Sequence, residues 1–127
     1  MKPLTSAFRI PLLALSLILL GGPLKAQDPL KVGPGIYKLL FENERVRVME
    51  MSLKPGERIG MHSHPDHLAY ILTGGRLSLT HADGKSKEVE AKPGEVIWIP
   101  AESHSAKNPG TTELRALIVE LKEPAKK

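Results

Sequence analysis

The sequence predicts an all-β protein, and two observations support this prediction. Short segments rich in valine, isoleucine, leucine and aromatic residues alternate with turn signals built on proline and glycine, a pattern typical of successive strands. No segment after residue 26 has the apolar spacing that an amphipathic helix requires. Some predicted strands carry apolar residues on both faces, so we expect a closed barrel or a two-sheet sandwich.

The first 26 residues have the pattern of a secretory signal peptide. Lys2 and Arg9 precede an apolar run at residues 10–20, and small residues follow up to Ala26, where cleavage is expected. The run is shorter than the roughly 20 residues that span a bilayer, so no stable membrane span is expected after cleavage. The protein is therefore predicted to be periplasmic or secreted. An uncleaved leader is the alternative, because Leu24 fits the cleavage motif poorly.

The chain after Ala26 is long enough for one small domain and too short for two. Residues 27–35 are dense in proline and glycine and are predicted to form an irregular N-terminal arm. The folded domain is predicted to occupy residues 36–122, and residues 123–127 form a C-terminal tail.

Five segments have the composition of strands: residues 45–53, 68–73, 76–80, 96–99 and 114–121. The turn sequence Lys-Pro-Gly-Glu occurs at residues 54–57 and again at 92–95, where proline presets φ and glycine accepts a positive φ. Each copy leads through a strand toward a histidine. This repetition indicates a jelly roll made of two related halves.

Apolar residues occupy both faces of the segment 96–99, which predicts a strand covered on both sides. The apolar phase of residues 45–53 shifts at Met49, which indicates a bulge or a partly covered outer face. Tyr70 and Trp98 are expected to pack in the core. A homodimer partner is one way to cover the outer face.

The charge balance gives no indication of nucleic-acid binding. The net charge of +4 depends largely on the leader, and after residue 26 the chain has 15 basic and 14 acidic residues in interleaved positions. There is no cysteine, so disulfides, thiolate ligands and cysteine nucleophiles are excluded. Any metal must be bound through nitrogen and oxygen atoms.

Four of the five histidines form a candidate metal site. His62 and His64 stand one residue apart, so in a strand both imidazoles point to the same face. His67 follows after a Pro-Asp turn signal, and His104 comes about forty residues later. The fifth, His81, precedes an Asp-Gly turn and is expected to be a solvated strand end.

Two motifs resemble those of the cupin superfamily. Gly56, His62, His64 and Gly74 match the first cupin motif, in which His67 stands where the family usually has glutamate. Gly94, Pro100, His104 and Asn108 match the second motif, except that the turn is one residue shorter and the usual glycine after the proline is missing. The resemblance extends over most of the chain after the leader.

The resemblance implies a cupin-type double-stranded β-helix, that is, a jelly-roll barrel, with a metal bound inside it by His62, His64 and His104. His67 is predicted to be a fourth ligand, with a partly exposed bystander as the alternative and Asp66 as the rival donor. Imidazole ligands suit several ions, so Fe, Mn, Ni, Cu and Zn all remain candidates. A metal-free barrel whose histidines only fill the interior is the remaining alternative.

Two functions follow from this interpretation. The first is an exported metalloenzyme, a dioxygenase-like oxidoreductase that acts on a small organic molecule, since three histidines leave metal positions open. The second is a non-catalytic protein that binds or senses a metal or a small ligand. The sequence identifies no catalytic acid or base, so whether the protein is an enzyme stays open.

Overall fold

Two antiparallel sheets form the structure, a computed structural model that describes residues 27–123. The described residues form one helical turn and nine strands: α1 (Pro29–Val32), β1 (Tyr37–Glu42), β2 (Val46–Leu53), β3 (Arg58–His64), β4 (His67–Thr73), β5 (Gly75–His81), β6 (Ser86–Ala91), β7 (Val96–Ile99), β8 (Glu102–Lys107) and β9 (Leu114–Leu121). The all-β prediction is confirmed. Each of the five predicted strands is present with bounds shifted by at most one residue.

The two sheets face each other around the core. One has the strand order β1-β2-β9-β4-β7 and the other the order β3-β8-β5-β6, so strands close in sequence alternate between sheets as in a jelly roll. Apolar residues from both sheets meet in the core, among them Met49, Leu53, Ile59, Ile71 and Leu114. Four buried histidines also lie in the interior. The arrangement is a double-stranded β-helix.

The two Lys-Pro-Gly-Glu turns have the same hydrogen bonds. In each turn the glutamate N–H donates to the lysine carbonyl, at 3.0 Å in the first copy and 3.1 Å in the second. The glutamate carboxylate in turn accepts the lysine N–H. Gly56 and Gly94 both have φ of +80°, a conformation that a side chain would strain. The repeated sequence therefore marks equivalent corners before β3 and β7.

The outer face of the five-stranded sheet departs from the prediction. Trp98 is 52% exposed and Val96 is 60% exposed, so the prediction that β7 is covered on both faces is wrong for the single chain. Tyr70 is also exposed rather than in the core. The physical reason is that β7 is an edge strand, and no element of the described chain packs over its outer side. The homodimer stays a prediction.

Strand β2 keeps a regular alternation, with Met49, Met51 and Leu53 buried and the residues between them half-buried. The register shift predicted near Met49 lies in its partner β1, between Leu39 and Phe41. The apparent change of phase arises because Val46 and Val48 lie on the partly covered outer face. Of the two explanations offered for residues 45–53, the partly covered outer face is the one that β2 shows, whereas the bulge lies in β1.

The predicted N-terminal arm includes the helical turn α1, which Asp28 caps by accepting the N–H of Leu30. Before it, the carbonyl of Gln27 accepts the N–H of Ser63, so the arm pairs with β3. The predicted leader and residues 124–127 lie outside the described residues. Within residues 27–123 no helix has the length and apolarity needed to cross a membrane.

Candidate metal centre

The backbone brings the four predicted histidines into one interior region. His62 and His64 lie on the inner face of β3, and His104 of β8 is the direct register partner of His62. His67 begins β4 in the opposite sheet. All four are buried, and His67 is only 1% exposed. His67 is therefore an interior residue rather than the partly exposed turn residue of the bystander alternative.

Each of these imidazoles has its Nδ1 atom bonded to a fixed acceptor. Carbonyl and carboxylate oxygens only accept hydrogen bonds, so each Nδ1 carries the proton and each Nε2 is left with a free lone pair. The four bonds are His62 to the Gly60 carbonyl at 2.8 Å, His64 to Glu120 at 2.8 Å, His67 to the Pro65 carbonyl at 2.8 Å and His104 to Glu102 at 2.6 Å. Histidines that bind metals usually have such a partner on the second nitrogen.

Three of these histidines lie close enough to share one ion. The ligand atoms of His62, His64 and His104 all lie within 4.8 Å of one another. His67 adjoins this group through His64, with ring centroids 4.6 Å apart. Its role as a fourth ligand stays a prediction. Asp66, the rival donor, is exposed and accepts the N–H of Ala101 instead.

Burial disfavours the charged form of His62, His67 and His104. It lowers the pKa of His62 to about 4, and it also lowers the pKa of His67 and of His104. Neutral imidazole is the form that binds metals. The donor set, three imidazole nitrogens with fixed tautomers, fits a divalent transition metal.

The metal-free protein is expected to lose stability in mild acid. Because the pKa of His62 falls from 6.5 to about 4 on folding, the unfolded chain binds more protons than the folded one between these values. Stability is thus present above pH 6.5 and is lost as the pH falls toward 4. His62 alone predicts a loss of roughly 2 kcal/mol between pH 7 and pH 5. Urea unfolding with a chelator present measures it, and equal free energies of unfolding at both pH values would contradict the expectation.

Tyr37 adds a hydroxyl group to the centre. Its oxygen lies 3.4 Å from Nε2 of His62 and 3.5 Å from Nε2 of His64. Burial raises the pKa of this phenol, and the charge of Glu120 raises it further, so the hydroxyl stays protonated at neutral pH. It can donate a proton toward whatever occupies the space between the two imidazoles. No spacing rule in the sequence pointed to Tyr37, which is far from both histidines along the chain.

A buried chain of charges supports His64 from behind. Glu120, which is 2% exposed, accepts the Nδ1–H of His64 with one oxygen and the Nε–H of Arg47 at 2.7 Å with the other. Arg47 also donates to Asp28 of the N-terminal arm at 2.6 Å. Burial raises the pKa of Glu120, but the hydrogen bonds from His64 and Arg47 outweigh it, so the pKa is below its ordinary value. The carboxylate is ionised and supplies negative charge next to a cation site.

Glu102 supports His104 in a similar way and also reaches His81. One oxygen accepts the Nδ1–H of His104, and the other lies 3.5 Å from Nδ1 of His81. His81 is the register partner of His104 and lines the interior cavity. His81 does end β5, and its side chain is 34% exposed, but it also lines the cavity, which the prediction of a solvated strand end did not include. Two carboxylates thus stand behind the cluster, although the sequence motif lacks the usual glutamate.

A cavity of about 300 Å³, here called the barrel cavity, lies against the cluster. His64, His67 and His104 form part of its wall, and Tyr37, His81, Lys87 and Glu102 are its other polar lining residues. The rest of the wall is mainly apolar and includes Ile59, Leu77, Leu79, Val89, Ile97 and Ile99. A volume of this size holds a small organic molecule beside the histidines.

Comparison with known proteins places these features in one family. Residues 49–120 match the cupin domain family. An oxalate-binding protein from Thermotoga maritima is 39% identical over 87 residues, which cover 66% of this chain and 69% of that protein. A cupin domain from Bordetella pertussis has a TM-score of 0.65 at 31% identity, covering 69% of this chain and 93% of that one.

A third similar structure is the polyketide cyclase RemF from Streptomyces resistomycificus. Its TM-score is 0.53 at 28% identity, with 71% of this chain and 66% of that chain covered. The fold, the histidine cluster and the match over residues 49–120 agree with one another. The chain therefore belongs to the cupin family.

Proposed function

We propose that this cupin binds one divalent transition metal through His62, His64 and His104, and that the metal and the barrel cavity together bind a small carboxylate of the oxalate kind. The observation that carries this proposal is the uniform hydrogen bonding of Nδ1, which places the proton of each imidazole on that atom and leaves each Nε2 unprotonated and able to bind a metal. His67 is proposed as a fourth ligand, since its Nδ1 is fixed in the same way. Fe, Mn, Ni, Cu and Zn remain the candidate ions.

A divalent ion bound by three or four imidazole nitrogens keeps its positive charge and has open coordination positions. An oxygen donor of a ligand can bind there. The barrel cavity gives such a donor access to the cluster, since three of the histidines line its wall. The name of the Thermotoga maritima relative supports oxalate as the first ligand to test. The leader pattern further supports the proposal that the chain is exported to the periplasm or secreted.

Isothermal titration of oxalate into metal-loaded and chelator-treated protein tests the proposal. We expect one oxalate per chain in the loaded protein and no measurable binding in the stripped protein. Met61→Ala is the control, because this exposed residue directly precedes His62 on β3, within the register shift between Ile59 and His62. Binding that does not depend on metal, or no binding by the loaded protein, would refute the proposal.

A dioxygenase-like enzyme is the second candidate. The protonated hydroxyl of Tyr37, held near two ligand nitrogens, favours it because this group can donate a proton to a reacting ligand. Oxygen uptake by the loaded protein, measured with oxalate, small phenols and diketones, distinguishes the two candidates. Uptake that depends on ligand indicates the enzyme, and binding without uptake or chemical change indicates the binding protein.

A further inference from the structure

The polar lining of the barrel cavity includes one cation that the metal centre does not use. Lys87 lies on the inner side of β6, because its register partner Leu79 faces the cavity. Its neighbours on the same side of β6, Val89 and Ala91, line the cavity too. Lys87 itself is exposed, so it lies at the rim. Within residues 27–123 no ion pair involves its ammonium group.

The rim lies between two sheet edges. Strand β6 is the edge of the four-stranded sheet and β7 is an edge of the five-stranded sheet. Lys87 stands on one side, and the exposed residues Trp98 and Pro100 stand on the other. A ligand that enters here passes the ammonium before it reaches the histidines. The positive charge at this entrance attracts an anion toward a cavity whose walls are mainly apolar.

Glu102 is the acidic residue that lines the same cavity, and its carboxylate already interacts with two histidines. One carboxylate oxygen accepts a hydrogen bond from the Nδ1–H of His104 at 2.6 Å, and the other lies 3.5 Å from Nδ1 of His81. Among the described residues that line the cavity, Lys87 is the one lysine or arginine, so a ligand in the cavity meets its ammonium group besides the metal.

We propose that Lys87 is a ligand-binding residue that selects small dianions over monoanions of the same shape. The inference rests on the proposed function and adds a charge requirement for the ligand. Its ammonium attracts the charge on the end of the ligand that faces away from the histidine cluster. The ligand class is a small dicarboxylate, held at one end by the metal centre and attracted at the other by Lys87.

Oxalate and oxamate are the probes, because they have the same shape and differ by one negative charge. Titration calorimetry of metal-loaded wild type, Lys87→Gln and Lys85→Gln gives the ratio of the two affinities for each protein. We expect the preference for oxalate to fall about 2- to 5-fold in Lys87→Gln and to weaken less with added salt than in wild type. Lys85→Gln is the matched control, since Lys85 pairs with Asp83 in the exposed turn and does not line the cavity.

Three outcomes would overturn the inference. An unchanged ratio of oxalate to oxamate affinity in Lys87→Gln would show that the ammonium group does not distinguish the dianion from the monoanion. An equal fall of the affinity ratio in Lys87→Gln and Lys85→Gln would assign the effect to the net charge of the protein rather than to the position of Lys87. Loss of metal in Lys87→Gln, measured by elemental analysis, would assign Lys87 to the metal centre itself. Wild-type protein that binds neither probe would instead refute the proposed function, and the inference with it.

Discussion

Replacing His62 by alanine is expected to abolish stoichiometric metal binding. His62 is fully buried, its Nδ1 is committed to the Gly60 carbonyl, and its Nε2 lies within 4.8 Å of the other two ligand atoms. Loss of an outer partner alone weakens metal binding roughly 10- to 100-fold, so loss of a ligand should exceed about 100-fold. Competition with a chromophoric chelator measures the change.

Two controls accompany this variant. Met61→Ala alters the preceding, exposed residue of β3 and should retain the metal. Thermal unfolding of the metal-free His62→Ala protein checks that the barrel still folds. A folded His62→Ala protein with wild-type metal affinity would mean that His62 fills the interior and is not a metal ligand.

Replacing Glu120 by alanine should damage both the stability and the metal centre. The side chain bridges His64 and Arg47 in the interior, and removing it leaves the Arg47 guanidinium with Asp28 as its remaining partner. Breaking a buried ion pair by removing one partner costs about 3–5 kcal/mol. His64 also loses the acceptor that fixes its tautomer, so metal affinity should fall about 10- to 100-fold.

Glu50→Ala provides the comparison for Glu120→Ala. Glu50 pairs with Arg115 at 2.5 Å on the outer face of the same sheet, where solvent screens the charges. Its loss should cost less than about 1 kcal/mol and leave metal affinity unchanged. Urea unfolding of the metal-free proteins gives the first quantity. Equal costs for the two variants would contradict the role given to the buried chain of charges.

The strands that the sequence predicted are those with a dense apolar composition, such as β4, β7 and β9. Strands β1, β3, β6 and β8 were not among the five predicted segments, and for β6 and β8 the structure gives a physical reason. Strand β6, Ser-Lys-Glu-Val-Glu-Ala, lies at a sheet edge and exposes most of its residues. Strand β8 turns His104 inward and has few apolar residues, because its inner face serves the site as well as the core. In β8, site residues such as His104 take inner positions where apolar residues would otherwise give the alternation typical of a strand.

The histidine cluster could be predicted because its members stand at short spacings or in recognisable motifs. The side chains that form hydrogen bonds with these imidazoles could not be predicted. Glu120 reaches His64 because β9 lies between β2 and β4 in one sheet while β3 lies in the other, and Arg47 joins them as the register partner of Glu120. Tyr37 likewise enters the site through the position of β1. Such contacts depend on tertiary pairing, which residue spacing does not encode.

The error at Trp98 has the same origin. An apolar run on both faces of a strand predicts burial only if something covers each face. The position of β7 at an edge could not be deduced from its composition. The exposed side of Trp98 and Val96 is the surface on which the predicted homodimer would have to be tested.

Elemental analysis of the purified wild-type protein, isolated without chelators and then reconstituted with each candidate ion, tests the central claim most directly. Our account predicts one transition-metal ion per chain, displaced by acid and absent from His62→Ala. If wild-type protein contains no stoichiometric metal and takes up none of Fe, Mn, Ni, Cu or Zn on reconstitution, the assignment of His62, His64 and His104 as a metal centre is contradicted.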